Sequence, residues 1–116
     1  MYKLKISPYN KNGDIMKINT LFPYIYNRHH IKGISTDPTK CNKGYIFIPI
    51  YNKETTKDKR IKDLEVATKN GANIYISNKY LKESNILSIY VNNTETELNR
   101  ILPILSEDDS IYQIIK

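Results

Sequence analysis

A continuous apolar run at residues 45–50, with the sequence Tyr-Ile-Phe-Ile-Pro-Ile, constrains the fold of this chain more than any other segment. A strand that is apolar at consecutive positions, rather than at alternate ones, needs cover on both of its faces. Such strands are typical of layered α/β proteins. Pro49 has no backbone N–H to donate, so the strand is expected to end near this residue or to lie at a sheet edge.

The segment after this run has the pattern of an amphipathic helix. Ile61, Leu64 and Ala67 are spaced three residues apart within residues 57–70. Gly71 follows at the place where a helix often ends in a left-handed backbone conformation. The pattern predicts a helix that ends at this glycine.

Shorter strand and helix patterns fill most of the remaining chain. Strands are predicted at residues 2–6, 31–36, 74–77 and 86–91, and a helix at residues 14–22. Residues 78–85 are expected to form a helical turn around Tyr80 and Leu81. The alternation of strands and helices from residue 31 onward predicts an α/β fold: a small single domain with a layered, largely parallel sheet and flanking helices.

A last helix is predicted to begin at Thr94, which forms a capping box with Glu97. Its buried face is predicted to consist of Leu98, Ile101, Leu102 and Leu105. Pro103 is expected to tighten or end this helix. The apolar tail at residues 111–115 could pair with another chain, as an edge strand or as a short helix.

Size and charge limit the classes of partner. A chain of 116 residues has room for one compact domain. Its net charge of +6 would suit nucleic acid, but the lysines are spread along the chain. The densest basic stretch, residues 53–62, is interrupted by Glu54 and Asp58, which indicates a solvated loop and helix face. Nucleic acid is therefore disfavoured as a partner.

Tyrosines are a second feature that could suit nucleic acid, because rings gathered on one sheet face could stack bases. The tyrosines considered are Tyr24, Tyr26, Tyr45, Tyr51, Tyr75, Tyr80 and Tyr90, and their spread over several elements favours partial burial.

Several other kinds of site find no support in the sequence. Cys41 is the single cysteine, which rules out a disulfide framework and fits a reducing cytoplasm. No apolar stretch reaches the roughly 18 residues that a membrane span needs. The adjacent His29 and His30 would point to opposite faces of a strand, with no acidic or cysteine partner nearby. We therefore predict no metal, no cofactor and no catalytic residues.

Short motifs between residues 31 and 105 occur in a characteristic order. They are Thr36-Asp37, Gly44, Phe47, Gly71-Ala72 and the apolar residues 74–77. Their order resembles the N-terminal, UDP-sugar-binding domain of the E- and F-type Mur ligases of bacterial peptidoglycan synthesis. The resemblance implies a Mur ligase N-terminal-domain-like fold that binds a UDP-N-acetylmuramoyl-peptide or a similar nucleotide sugar.

The resemblance also implies what the chain does not do alone. In complete Mur ligases a central domain binds ATP and a third domain brings the amino acid or dipeptide. This chain has no glycine-rich phosphate loop that ends in Lys-Ser or Lys-Thr, so it is expected not to be an enzyme on its own. It could form part of an ATP-dependent ligase, with ATPase and ligase domains as protein partners.

The predicted ligand-binding residues are Ser35, Thr36, Asp37, Thr39, Asn52 and Lys53. Hydroxyl and carboxylate groups at a strand end can bind a uracil or a ribose, and ligands of open α/β sheets favour the carboxyl ends of strands. The same residue types also stabilise turns in proteins that bind nothing there.

Two departures from the family pattern leave a second function open. Pro38-Thr39 replaces the family's Ser/Thr-Arg, and the loop at residues 51–56 differs from the family's polar loop. Thr39 could restore the hydroxyl, but no neighbour restores the arginine. The alternative is a free-standing interaction or adaptor domain that kept the fold and lost the ligand.

Overall fold

The computed structural model describes residues 3–6, 22, 31–105 and 112–115. The strands are β1 (Lys3–Ile6), β2 (Gly33–Ser35), β3 (Tyr45–Phe47), β4 (Ile74–Ser77), β5 (Leu87–Tyr90) and β6 (Tyr112–Ile115). The helices are α1 (Lys57–Lys69) and α2 (Thr94–Leu105), and a 3-10 turn covers Pro38–Lys40. The helix predicted at residues 14–22, except for Phe22, and the His29-His30 pair lie outside the described residues.

The strands form one six-stranded sheet with the order β5-β4-β3-β2-β1-β6. Strands β2 to β5 are parallel to one another, whereas β1 runs antiparallel to both β2 and β6. The predicted α/β class and the largely parallel sheet are confirmed. The apolar tail forms β6, which pairs on one side with β1 and is an edge strand of the sheet. Its pairing with another chain stays a prediction, because an edge strand has backbone groups on its outer side that no strand of the sheet binds.

Both faces of the parallel sheet are covered, as the apolar run predicts. Side chains of β3 alternate between two buried clusters, with Tyr45 and Phe47 on the α1 side and Ile46 on the α2 side. The α1 side also contains Cys41, Leu64, Ala67, Ala72, Tyr75 and Leu81. The α2 side contains Phe22, Ile31, Ile34, Ile48, Ile74, Ile76, Ile89, Leu98 and Ile101. The strand ends two residues before Pro49, so the missing N–H of this proline removes no hydrogen bond between strands.

Local sequence explains both ends of α1. The Thr56 hydroxyl accepts a hydrogen bond from the Lys59 backbone N–H at 3.1 Å and so caps the first turn. At the other end Gly71 has φ +112°, and a Cβ there would lie 2.6 Å from the Lys43 Cα. Only glycine fits this position without strain, so the predicted end of the helix is confirmed.

The start of α2 differs from the predicted capping box. Asn93, not Thr94, caps the helix: its side-chain oxygen accepts from the Thr96 N–H at 2.9 Å, and its carbonyl accepts from the Glu97 N–H. Thr94 is instead buried. Asparagine is preferred over threonine as a capping residue, and its side-chain oxygen here binds an N–H of the first turn.

Two further predictions about local structure were wrong in part. Helix α2 continues past Pro103 to Leu105. Leu98 and Ile101 pack into the core, and this packing outweighs the hydrogen bond that the proline removes. The expected helical turn after β4 is absent; the Ser84 N–H donates to the Leu81 carbonyl in a simple turn.

Candidate functional site

The carboxyl ends of the four parallel strands lie at one edge of the sheet, which we call the carboxyl edge. In open α/β sheets this edge is where ligands usually bind. The predicted ligand-binding residues after β2 and those after β3 follow strands that are direct neighbours, with Ser35 opposite Phe47. The amino-terminal end of α1 reaches the same edge because this helix follows β3 and precedes the parallel strand β4.

The segment after β2 is organised by its own polar groups. The Ser35 hydroxyl donates to the Asp37 carbonyl and accepts from the Asp37 N–H, both at 2.9 Å. One Asp37 carboxylate oxygen, Oδ1, accepts from the Thr39 N–H at 2.9 Å and from the Thr39 hydroxyl at 2.7 Å. Thr36 is buried. The other oxygen, Asp37 Oδ2, makes no hydrogen bond with a described residue and remains available as an acceptor.

The segment after β3 is a second local turn. The Asn52 side-chain oxygen accepts from the Glu54 N–H at 2.9 Å and from the Thr55 hydroxyl at 3.2 Å. Asn52 and Lys53 are both exposed. The Asn52 amide N–H groups and the Lys53 ammonium group have no partner among the described residues, so this loop presents donors and a positive charge.

Arg60 is a further candidate residue that was not predicted from the sequence. The basic stretch at residues 53–62 was expected to be a solvated face, and for Arg60 this prediction was wrong, because only 2% of the residue is exposed. A signal was present: Arg60 precedes Leu64 by four residues and Ala67 by seven, which places it on the buried stripe of α1.

The Arg60 guanidinium lies between the loops that follow β3 and β4. Its Nη1 donates to the Asn78 side-chain oxygen at 3.0 Å, and its Cζ lies 4.6 Å from the centroid of the Tyr51 ring. Its Nε has no hydrogen-bond partner. Within the described part of the chain no carboxylate lies at ion-pair distance from Arg60. A buried cation without a counter-charge is costly, and its fork of N–H donors suits a carboxylate or a phosphate.

Tyr51 covers the guanidinium and is itself fixed by α1. Its hydroxyl donates to Asp63 Oδ2. The Lys59 ammonium group contacts both Asp63 oxygens, at 3.1 and 2.9 Å. Burial, and then the hydrogen bond to Asp63, raises the pKa of Tyr51. The negative charge of Asp63 is thus offset by Lys59, and Tyr51 stays neutral.

A second polar atom without a partner lies in the core close to this site. Tyr75 is fully buried in β4, where its ring stacks on Phe47 with centroids 5.8 Å apart. Its hydroxyl has no hydrogen-bond partner. The nearby Ser77 hydroxyl donates to the Lys79 carbonyl and accepts from the Lys79 N–H. Burial raises the pKa of Tyr75, while the Ser77 hydroxyl and the Arg60 charge act in the opposite direction.

Exposed apolar side chains also gather at the carboxyl edge. The large hydrophobic residues that are well exposed in the described ranges are Ile50, Tyr80 and Tyr90. They lie just after β3, just after β4 and at the end of β5. The rings of Tyr80 and Tyr90 are 5.5 Å apart, and Tyr90 pairs in register with Ser77, next to Asn78. The expected partial burial of the tyrosines is confirmed for Tyr45, Tyr51 and Tyr75 and was wrong for Tyr80 and Tyr90, which are exposed. Tyr24 and Tyr26 lie outside the described residues.

A shallow groove of about 310 Å³ lies elsewhere, along α1 and the β4–β5 connection. It is lined by Ile61, Leu64, Glu65, Thr68, Lys69, Glu83 and Asn85, none of which was predicted to bind a ligand. The residues that the structure describes contain no cluster of histidine, cysteine or acidic side chains suited to a metal ion. They also include no helix that could cross a membrane.

Comparison with models of known protein families and with curated proteins found no match to this chain.

Proposed function

We propose that this chain is a non-catalytic binding module for a nucleotide-linked sugar, with a fold of the Mur ligase N-terminal type and its ligand at the carboxyl edge. The observation that carries the proposal is the position of the two predicted segments. Residues 35–39 and residues 52–53 follow neighbouring parallel strands and so share the edge that binds ligands in such sheets.

The free groups at this edge suit the parts of a nucleotide sugar. Asp37 Oδ2 can accept hydrogen bonds from a ribose or a uracil N–H, and the Asn52 amide can donate to a carbonyl. Lys53 supplies a positive charge for a phosphate group. Tyr80 and Tyr90 offer exposed rings on which a planar base can stack.

The proposal extends to the setting in which the chain works. Without a phosphate loop it would bind a UDP-N-acetylmuramoyl-peptide or a related ligand while separate ATPase and ligase domains perform the chemistry. Such a partnership would take place in the bacterial cytoplasm. The ATPase and ligase domains are the protein partners to search for.

Calorimetric titration tests this function. We expect saturable binding of UDP-N-acetylmuramic acid to the purified chain and weaker binding of uridine, which lacks the phosphates. The double variant Asp37→Asn, Lys53→Ala should weaken UDP-sugar binding about tenfold or more, because two charged contacts are lost. Lys69→Ala, at the far end of α1, is the matched control and should bind as the native chain does. A folded native chain with no heat of binding at millimolar ligand would refute the proposal.

A second function has its own supporting observation. The polar atoms of Ser35, Thr39 and one oxygen each of Asp37 and Asn52 are already used in local turns, as in a protein that binds no ligand there. Exposed Tyr80 and Tyr90 belong to a residue type that is enriched among the energetically important residues of protein interfaces. A folded chain that binds no nucleotide would favour a function as an interaction domain.

A further inference from the structure

We propose that Arg60 is the phosphate-binding residue of this edge, with Asn78 positioning its guanidinium and the Tyr51 ring acting as a movable cover. The ligand class is an organic phosphate or diphosphate. This inference rests on the proposed nucleotide-sugar function and names the residue that would bind the charged part of that ligand.

The charge balance around Arg60 is the first support. Arginine remains protonated inside proteins, and Arg60 is almost completely buried. Its neighbours within the described ranges, Asn78 and Tyr51, are neutral. Asp63 is close, but its carboxylate is bound by Lys59 and Tyr51. The buried guanidinium therefore carries a positive charge with no negative partner, and a bound phosphate would supply that negative charge.

The unpartnered Nε is the second support. A structural arginine in a protein interior usually has its N–H donors satisfied. Arg60 uses Nη1 on Asn78 and leaves Nε without a partner. The Nε and an Nη together form the planar fork that binds two phosphate oxygens at once.

The position of the guanidinium is the third support. Arg60 belongs to the first turn of α1, whose Lys57 and Asp58 backbone N–H groups have no acceptor among the described residues. The positive end of the helix dipole therefore adds to the guanidinium charge. Asn78, which holds Nη1, directly follows β4. A phosphate at this point would lie between the ends of β3 and β4, next to the Asn52–Lys53 turn and the Tyr80–Tyr90 rings.

The Tyr51 ring controls access to this site. It lies on Arg60, and the hydroxyl bond to Asp63 keeps it there. The ring must turn aside before a phosphate oxygen can reach the guanidinium. The apparent affinity is then reduced by the fraction of molecules in which the ring is closed. Weakening the bond between Tyr51 and Asp63 should therefore tighten ligand binding.

The direct test uses the native chain and follows the side-chain Nε–H signals of its arginines by NMR. During titration with UDP and with inorganic pyrophosphate, the Arg60 signal should shift saturably. The Arg100 signal is the internal control, because its Nε already donates to Glu97 at 2.9 Å, and it should stay in place. An Arg60 signal that does not move while the chain binds UDP would overturn this inference and leave the proposed function standing. A chain that binds neither compound would overturn both.

Variants supply an independent readout. Arg60→Lys keeps the charge but loses the fork, and it should weaken UDP binding roughly tenfold or more while uridine binding is unchanged. Tyr51→Phe keeps the ring but removes its hydroxyl, and it should tighten UDP binding about two- to fivefold. A purely structural cluster predicts the opposite for Tyr51→Phe: lower stability and no gain in affinity. Unchanged or weaker UDP binding by a folded Tyr51→Phe chain would contradict the role of the cover.

Discussion

At the scale of single residues, two buried polar side chains set this domain apart from an ordinary α/β core. Arg60 and Tyr75 lie on the α1 side of the sheet, and each has a polar atom without a partner. Buried polar atoms are usually satisfied, because an unmade hydrogen bond costs about 1–3 kcal/mol. The side-chain oxygen of Asn73, just before β4, is a third buried atom without a partner. A fold that retains such atoms has given up stability.

Tyr75 gives a prediction about alkaline stability. Its pKa is raised in the folded chain, so the folded state keeps a proton that the unfolded state loses above the usual tyrosine pKa of about 10. The stability is therefore fully present below about pH 10 and falls as the pH rises further. We expect the free energy of unfolding, measured with denaturant at stepped pH, to decline steeply above this point.

Tyr75→Phe isolates the contribution of this hydroxyl. At neutral pH the variant should be as stable as the native chain or more stable by about 1 kcal/mol, since an unsatisfied hydroxyl is removed from the core. Its alkaline decline should also be shallower. Tyr80→Phe, at a side chain that is 72% exposed, is the control and should leave the pH profile unchanged. A Tyr75→Phe chain that loses several kcal/mol at neutral pH would show that the hydroxyl has a partner in solution.

At the scale of secondary structure, the sequence predicted those elements whose signals are local. The apolar run at residues 45–50 identified a strand covered on both faces, and the spacing of Leu64 and Ala67 identified α1. Gly71 marked the end of that helix because its backbone conformation is one that other residues avoid.

The elements predicted less well depend on contacts between distant residues. The pairing of β6 with β1 joins the two ends of the chain, which no local pattern encodes. The continuation of α2 past Pro103 depends on the packing of its apolar face against the sheet. In the candidate site, Asp37 and Asn52 were predicted from residue type, and their role in binding stays a prediction. The burial of Arg60 was missed because an arginine in a basic stretch is normally exposed.

The backbone conformation of Gly71 leads to a prediction about stability. Gly71→Ala should lower the free energy of unfolding by roughly 2 kcal/mol or more, because alanine disfavours this φ and its Cβ would lie against the Lys43 backbone. Thermal or denaturant unfolding measures the change. Lys69→Ala, at an exposed position in the last turn of α1, is the control and should shift stability by less than about 0.5 kcal/mol. An equally small effect at Gly71 would mean that this connection relaxes in solution.

At the scale of the whole molecule, the two faces and the two ends of the parallel sheet differ in character. The faces are sealed by α1 and α2, and the core side chains of β3 and β4 are almost completely buried. The carboxyl edge instead collects unused polar groups, a cation without a counter-charge and exposed tyrosine rings. Because of this concentration at one edge, we propose the ligand site there rather than in the groove along α1.

A map of backbone amide shifts during titration with UDP-N-acetylmuramic acid would locate the proposed binding site. We predict saturable shifts centred on residues 35–40 and 51–56, with further shifts at Arg60 and Asn78. The groove residues Thr68 and Lys69 should stay in place. Shifts centred on that groove, or no saturable shift from a folded chain at millimolar ligand, would contradict a nucleotide-sugar site at the carboxyl edge.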